Sequence, residues 1–216
     1  MQRDFGLNIP ETLDDVYDPT RLALIVYDMQ VGIVSQIRKG QEIVARVSRV
    51  VEAARKARIR IVFTRHMSLP RELMGVFQLR MAMAWQRVKS PSEVKPMFLP
   101  SSAAFQLVPE MTPQHDEAVF DKITMSAFEG TPLNITLRDC GINAFAIVGI
   151  ATEIGIEPTV RHGADLGYIP IVVTDACGSG HEDAGMRSIE SLRFSGDSFF
   201  TDVDGICAQL RRLQPR

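Results

Sequence analysis

A three-layer αβα fold, with helices on both faces of a six-stranded, mainly parallel sheet, is predicted by two features of the sequence. Continuous apolar runs such as Leu22–Tyr27 (LALIVY) and Ala144–Val148 (AFAIV) read as strands buried on both faces. These runs alternate with segments whose apolar residues recur at helical spacing, as parallel strands joined by right-handed helical crossovers require. A chain of 216 residues is long for one domain and short for two, so a single domain over residues 1–216 is expected.

Taken in order, residues 1–20 carry Pro10, Pro19 and several acids, and read as an irregular surface arm. The strand at Leu22–Tyr27 delivers Asp28, Met29 and Gln30 to its C-terminal end, the edge where open parallel sheets bind ligands. From Gln41 to Arg58, the residues Ile43, Val44, Val47, Val50, Val51 and Ala54 mark one apolar helix face. Ile59–Thr64 is the second strand and brings Arg65 and His66 to the same edge. Residues 67–115 read as a partly helical excursion beside that edge, with a helix over 73–88 carrying Met81, Met83 and Trp85, and are a source of substrate selectivity. Ala118–Phe120 is a short strand ending at Asp121 and Lys122, followed by a 131–140 helix with Leu133 and Leu137 facing inward. After the Ala144–Val148 strand come a further strand at Ile169–Thr174, a 182–194 helix, a short strand at Ser198–Thr201 and a terminal helix.

Composition limits the function classes. A net charge of −2 gives no electrostatic case for nucleic acid or an anionic membrane surface. No apolar run nears the roughly 20 residues that span a bilayer, and the first residues lack the apolar core of a secretory signal, so a cytoplasmic location is expected. The three cysteines, Cys140, Cys177 and Cys207, are far apart and odd in number, which suggests neither a disulfide framework nor a zinc site. All three read as small buried residues. His115, His162 and His181 are dispersed, no metal is expected, and no cofactor is expected either. Gly178-Ser179-Gly180 is too short a fragment of a dinucleotide loop, since Asp183 stands where a third glycine belongs.

The chain is organised around Ala144–Arg161, AFAIVGIATEIGIEPTVR. A buried strand runs into a tight turn and then into a helix starting near Gly155 or Ile156, with Pro158 in the first turn, where its missing N–H is not needed. Unpaired backbone N–H groups gather at such a helix start and suit a developing negative charge.

This motif, continued by Ala164-Asp165-Leu166-Gly167-Tyr168 and Val173-Thr174-Asp175-Ala176-Cys177, resembles the isochorismatase-like hydrolases, or cysteine hydrolase superfamily, over roughly residues 20–205. In most of that family the seventh motif position is the nucleophilic cysteine; here it is Gly155. The resemblance extends to Asp28 in D-x-Q after the first strand and to Lys122 shortly before Ser126-Ala127-Phe128. In the cysteine enzymes the aspartate deprotonates the thiol and the lysine supports it. The true isochorismatases keep that pair but carry glycine in place of the cysteine, and cleave a vinyl ether by protonation and water attack. The sequence around Gly155 is closer to the amidohydrolase branch. The resemblance further implies a cis peptide between Ile150 and Ala151, which turns the Ala151 N–H toward the point addressed by the Gly155 N–H. It also implies a homodimer or homotetramer.

The expected activity is therefore cofactor-free hydrolysis of a small-molecule substrate of vinyl-ether or amide type, with water as the nucleophile. Asp28 acts as general acid and base with Lys122 as its electrostatic partner, and Ala151 and Gly155 supply oxyanion donors. Gln30, Arg65 and His66 are the candidate substrate contacts. The competing expectation is a catalytically silent family member that binds a small ligand or a partner protein. A cysteine replaced deliberately by glycine is a third reading, although alanine or serine is the more usual choice.

Overall fold

The computed structural model describes residues 1–213. Its sheet is six-stranded and every neighbouring pair is parallel. The strands are β3 (Leu22–Tyr27), β4 (Arg60–His66), β5 (Ala118–Lys122), β6 (Ala144–Ile150), β7 (Ile169–Gly178) and β8 (Phe199–Thr201), in the spatial order β5-β4-β3-β6-β7-β8. From β3 the chain steps outward to β4 and β5, then returns to add β6 on the other flank and continues to β7 and β8. The order thus reverses between β3 and β6, and a crevice opens at that point beyond the strands' C-terminal ends.

β3 shows why both faces are apolar. Leu22, Leu24 and Val26 pack on one face against α2 (Gly40–Lys56) and α7 (Val203–Arg212). Ala23, Ile25 and Tyr27 pack on the other with residues of α4 (Leu133–Asp139), α5 (Glu157–Asp165) and α6 (Glu182–Ser195). On α2 the buried stripe is the one expected from the sequence, with Val47 and Val50 fully enclosed. Each such aliphatic side chain contributes about 1.5–3 kcal/mol of burial, so a charge at Val47 would unseat the helix.

The remaining elements differ from the sequence expectation mainly at their ends. The first residues are not an irregular arm. Gln2–Asp4 (β1) and Leu7–Ile9 (β2) form an exposed antiparallel hairpin, and Val16 and Tyr17 join the core. α1 (Val31–Val34) precedes α2, and the excursion is partly helical, as expected, with α3 (Val76–Gln86) inside it. β7 runs on to Gly178, and its register on β6 shifts between Ile147 and Gly149. Gly149 allows this: its φ is +127°, and a Cβ there would stand 2.0 Å from the Tyr27 carbonyl oxygen. No helix among the described residues is long and apolar enough to cross a membrane.

Candidate active site

Asp28 closes β3 with φ +47°, a left-handed turn that aspartate tolerates better than most residues. Its side chain is almost fully enclosed, and both oxygens accept hydrogen bonds. Thr64 Oγ1, from β4, donates to Oδ1 at 2.7 Å, and Lys122 Nζ, from β5, donates to Oδ2 at 2.7 Å. Two donors on a buried carboxyl group are the pattern of an ionised carboxylate. The three strands β3, β4 and β5 thereby assemble one charged pair at the sheet edge.

Lys122 has its other N–H groups committed as well. It donates to Tyr27 Oη at 2.8 Å and to the Thr124 carbonyl at 3.3 Å. Tyr27 in turn donates to the Met125 carbonyl, and its ring lies 4.2 Å below the ammonium. Burial pushes the lysine below its ordinary pKa, with the Asp28 carboxylate opposing the shift. Burial, and then the neighbouring Asp28 charge, pushes the Tyr27 phenol well above its ordinary range, so it stays neutral.

Asp28 lines a cavity of about 340 Å³, with Lys122 enclosed behind it. Tyr27, Asp28, Ile150, Ala151 and Ile154 form the wall on the sheet side, and Gln78, Met81 and Trp85 of α3 belong to the opposite, excursion side. His66 lines the same space, edge-on to Phe98. Burial lowers its pKa to about 4, with Asp28 and Lys122 acting in opposite senses, so its ring is neutral near pH 7. Gln78 is 8% exposed, and its Oε1 has no hydrogen-bond partner.

The central motif forms as a strand, an extended Ala151, a π-helical turn over Thr152–Ile156 and then α5, which carries Pro158 in its first turn. The Ile150–Ala151 peptide is cis. The Gly155 N–H donates to the Ala151 carbonyl at 3.0 Å, the Gly155 carbonyl accepts from Thr159 Oγ1 at 2.6 Å, and Gly155 does not reach the cavity wall. A Cβ built on Gly155 would stand 1.9 Å from Tyr27 Oη. Glycine at 155 is thus matched to the tyrosine opposite it, which an isolated replacement of cysteine does not explain.

Of the residues expected from the sequence, Asp28, Ala151 and His66 line this space, and Lys122 reaches it only through Asp28. Three expectations need correction. The Gly155 N–H, expected as an oxyanion donor, is spent on the Ala151 carbonyl and lies away from the cavity wall. The other two are substrate contacts. Gln30 is fully buried and its amide is used up: Nε2 donates to the His66 and Phe105 carbonyls at 3.0 and 2.8 Å, and Oε1 accepts the His66 N–H at 2.6 Å. Arg65 turns the other way, pairing with Asp121 at 2.7 Å and stacking 4.2 Å over Phe105. Neither lines the cavity. Among the cysteines, Cys177 and Cys207 are buried as expected and Cys140 is half-buried. Among the described residues no group of three or more His, Cys, Asp or Glu is placed to hold a metal.

An isochorismatase domain model matches residues 22–203, which takes in the whole six-stranded sheet. The chain belongs to the isochorismatase family. Similar curated proteins include the ureidoacrylate amidohydrolase RutB of Klebsiella pneumoniae strain 342, 29% identical over 224 residues that cover 95% of this chain and 93% of the relative. Among solved structures, a cysteine hydrolase from Pseudomonas syringae pv. phaseolicola 1448A superposes with a TM-score of 0.77 at 21% identity, covering 92% of this chain and 96% of its own. An isochorismatase family protein from Burkholderia thailandensis gives 0.73 at 26% identity, covering 91% and 98%. By that membership this chain is a hydrolase.

Three residues of this family member's site escaped the sequence reading. Thr64 is a polar residue closing an apolar run, and Gln78 an amide in the first turn of an otherwise largely apolar α3, so both carried a faint signal. Tyr27 carried another, an aromatic ring directly ahead of Asp28 in an otherwise aliphatic strand.

Proposed function

We propose that this protein hydrolyses a small amide-type molecule without a cofactor, using water as the nucleophile and Asp28 as the proton carrier. The observation that carries this reading is the Asp28 carboxylate, held by Thr64 and Lys122 at the wall of a cavity, with glycine rather than a nucleophile at position 155. A water bound to Asp28 gives up a proton to the carboxylate as its oxygen attacks the substrate carbonyl carbon. The Ala151 N–H holds the oxygen that becomes negative. Gly155 contributes through its lack of a side chain, since its N–H is engaged by Ala151 in the resting structure. Asp28 then passes the proton to the departing nitrogen, leaving a carboxylic acid and an amine and returning the site to its starting state. Lys122 holds the carboxylate in place through its hydrogen bond to Oδ2.

The amide preference draws on the amidohydrolase names of the relatives and on the sequence around Gly155. The cavity volume is that of a site for a small molecule. Gln78 Oε1 suits a hydrogen-bond donor on the substrate. Lys95 also lines the cavity, is exposed, and pairs with no acid among the described residues, so it suits a substrate carboxylate. A hydrolysis screen over ureidoacrylate, other small carbamoyl and amide acids, and isochorismate tests the reading. Release of amine or ammonia from an amide supports it. Cleavage of isochorismate alone replaces it with vinyl-ether chemistry, and binding without turnover replaces it with a silent binding protein.

A further inference from the structure

No side chain fits at residue 155 while Tyr27 is in place. A Cβ there would lie 1.9 Å from Tyr27 Oη, 2.3 Å from Cζ and 2.6 Å from Cε1, all below the 3.0 Å that real contacts of this kind respect. Tyr27 is not free to step aside. It is 2% exposed, packed in the core with Phe145, Ile156 and Val160, and tied through its hydroxyl to Lys122 and to the Met125 carbonyl.

On the reading above that this site hydrolyses its substrate with water, we infer that Tyr27 has taken over the nucleophile's place, its ring filling the volume of a residue-155 side chain and its hydroxyl positioning the Lys122 ammonium against Asp28. The ammonium has three N–H groups, and they go to Asp28 Oδ2, Tyr27 Oη and the Thr124 carbonyl at 2.7, 2.8 and 3.3 Å. The contact to Thr124 is the longest, so Tyr27 and Asp28 set where the charge sits. The phenol is enclosed and neutral, which fits a hydrogen-bonding group and not an attacking one. Tyr27 is accordingly a positioning residue: it acts on the reaction through Lys122, and Lys122 acts through Asp28.

Two experiments on the full chain test this, and the first needs no substrate. Gly155→Ala is made in the native background and with Tyr27→Leu or Tyr27→Phe, and Tm is measured. The overpacked side chain lowers Tm by about 5 °C or more beside Tyr27, and by as much beside the ring kept in Tyr27→Phe. With Tyr27→Leu the additional loss falls to about 2 °C or less. Equal losses in all three backgrounds overturn the matching of the two positions. The second experiment follows Lys122 by NMR of 13C-labelled lysine and, with the fastest substrate of the screen, measures kcat and KM against pH. Removing one acceptor from a buried ammonium moves the Lys122 titration to lower pH in Tyr27→Phe. It also lowers kcat about 10–100-fold with KM within about twofold, and the alkaline limb of the profile follows the lysine downward. An unmoved Lys122 titration or an unchanged kcat profile overturns the positioning role. Inactivity toward the whole screen removes the hydrolase reading alone, because the Tm cycle and the lysine titration still decide what Tyr27 does.

Discussion

Asp28 Oδ2 and Lys122 Nζ meet at 2.7 Å in the protein interior, and each partner is pinned from its far side, Asp28 by Thr64 Oγ1 at 2.7 Å and Lys122 by Tyr27 Oη at 2.8 Å. Both residues are enclosed, with 3% and 2% of their surface exposed. A pair so placed is costly to break from either side, and the Asp28 carboxyl group is shielded from bulk water.

Asp28→Asn is expected to fold and to lose activity. The amide oxygen still accepts from one neighbour, but the group no longer takes up and releases a proton. The expected fall in kcat/KM is about 10²–10⁴-fold. Steady-state kinetics on the substrate identified by the screen decides it, and an unchanged kcat/KM takes Asp28 out of the mechanism.

Lys122→Met leaves the Asp28 carboxylate buried without its cation. The expected cost is about 3–5 kcal/mol of unfolding free energy, read from urea denaturation. In the double variant with Asp28→Asn the loss is smaller than the sum of the single losses, because no unpaired charge remains. A loss under about 1 kcal/mol for Lys122→Met would mean that the pair is far more solvated than the structure shows.

Thiol reagents should leave turnover intact. Cys177 is buried, and burial pushes its thiol far above the ordinary cysteine range, so little thiolate is present to be alkylated. Burial also raises Cys207. Iodoacetamide treatment followed by an activity assay checks this. Complete inactivation that substrate prevents would identify a cysteine nucleophile after all.

Gln78→Leu keeps the packing of α3 but removes the one unpaired buried acceptor that lines the cavity among the described residues. KM is expected to rise about tenfold for a substrate with an N–H or O–H donor, with a smaller change in kcat. Equal KM values would show that Gln78 Oε1 does not meet the substrate.

His66 makes stability fall in mild acid. Its folded pKa of about 4 lies below the ordinary 6.5, so the unfolded chain binds the proton more readily. The stabilisation is fully present above pH 6.5 and is lost progressively as the pH falls toward 4, up to about 3 kcal/mol in all. Denaturation midpoints measured across that window should drop more steeply in the native chain than in His66→Gln. Parallel curves would assign the acid sensitivity to other groups.

Much of the fold was legible because long apolar runs permit few alternatives. Leu22–Tyr27 and Ala144–Ile150 are too apolar for anything but a central strand, and α2 has one clean stripe. The exposed β1–β2 hairpin was not legible, since its three-residue strands bury nothing and leave no pattern. Position along a strand located Asp28, Lys122 and His66 at the correct edge. It could not tell which way a side chain points, and so Gln30 and Arg65 were misassigned: one closes a backbone gap between β3, β4 and the Phe105 loop, the other answers Asp121. The match of Tyr27 to Gly155 was invisible for a different reason. It joins two distant stretches of chain through space, and neither residue alone announces the other.

Because the Tyr27 ring and any side chain at 155 compete for one volume, the two positions constrain each other in any path by which the sequence changes. A step-by-step path between a side chain at 155 and a ring at 27 passes through glycine at 155 with a smaller residue at 27. The same exclusion then works as a ratchet. With Tyr27 in place, a single mutation that puts a cysteine at 155 is expected to overpack the core, so a thiol there needs two changes, the first of which discards the tyrosine without supplying a thiol.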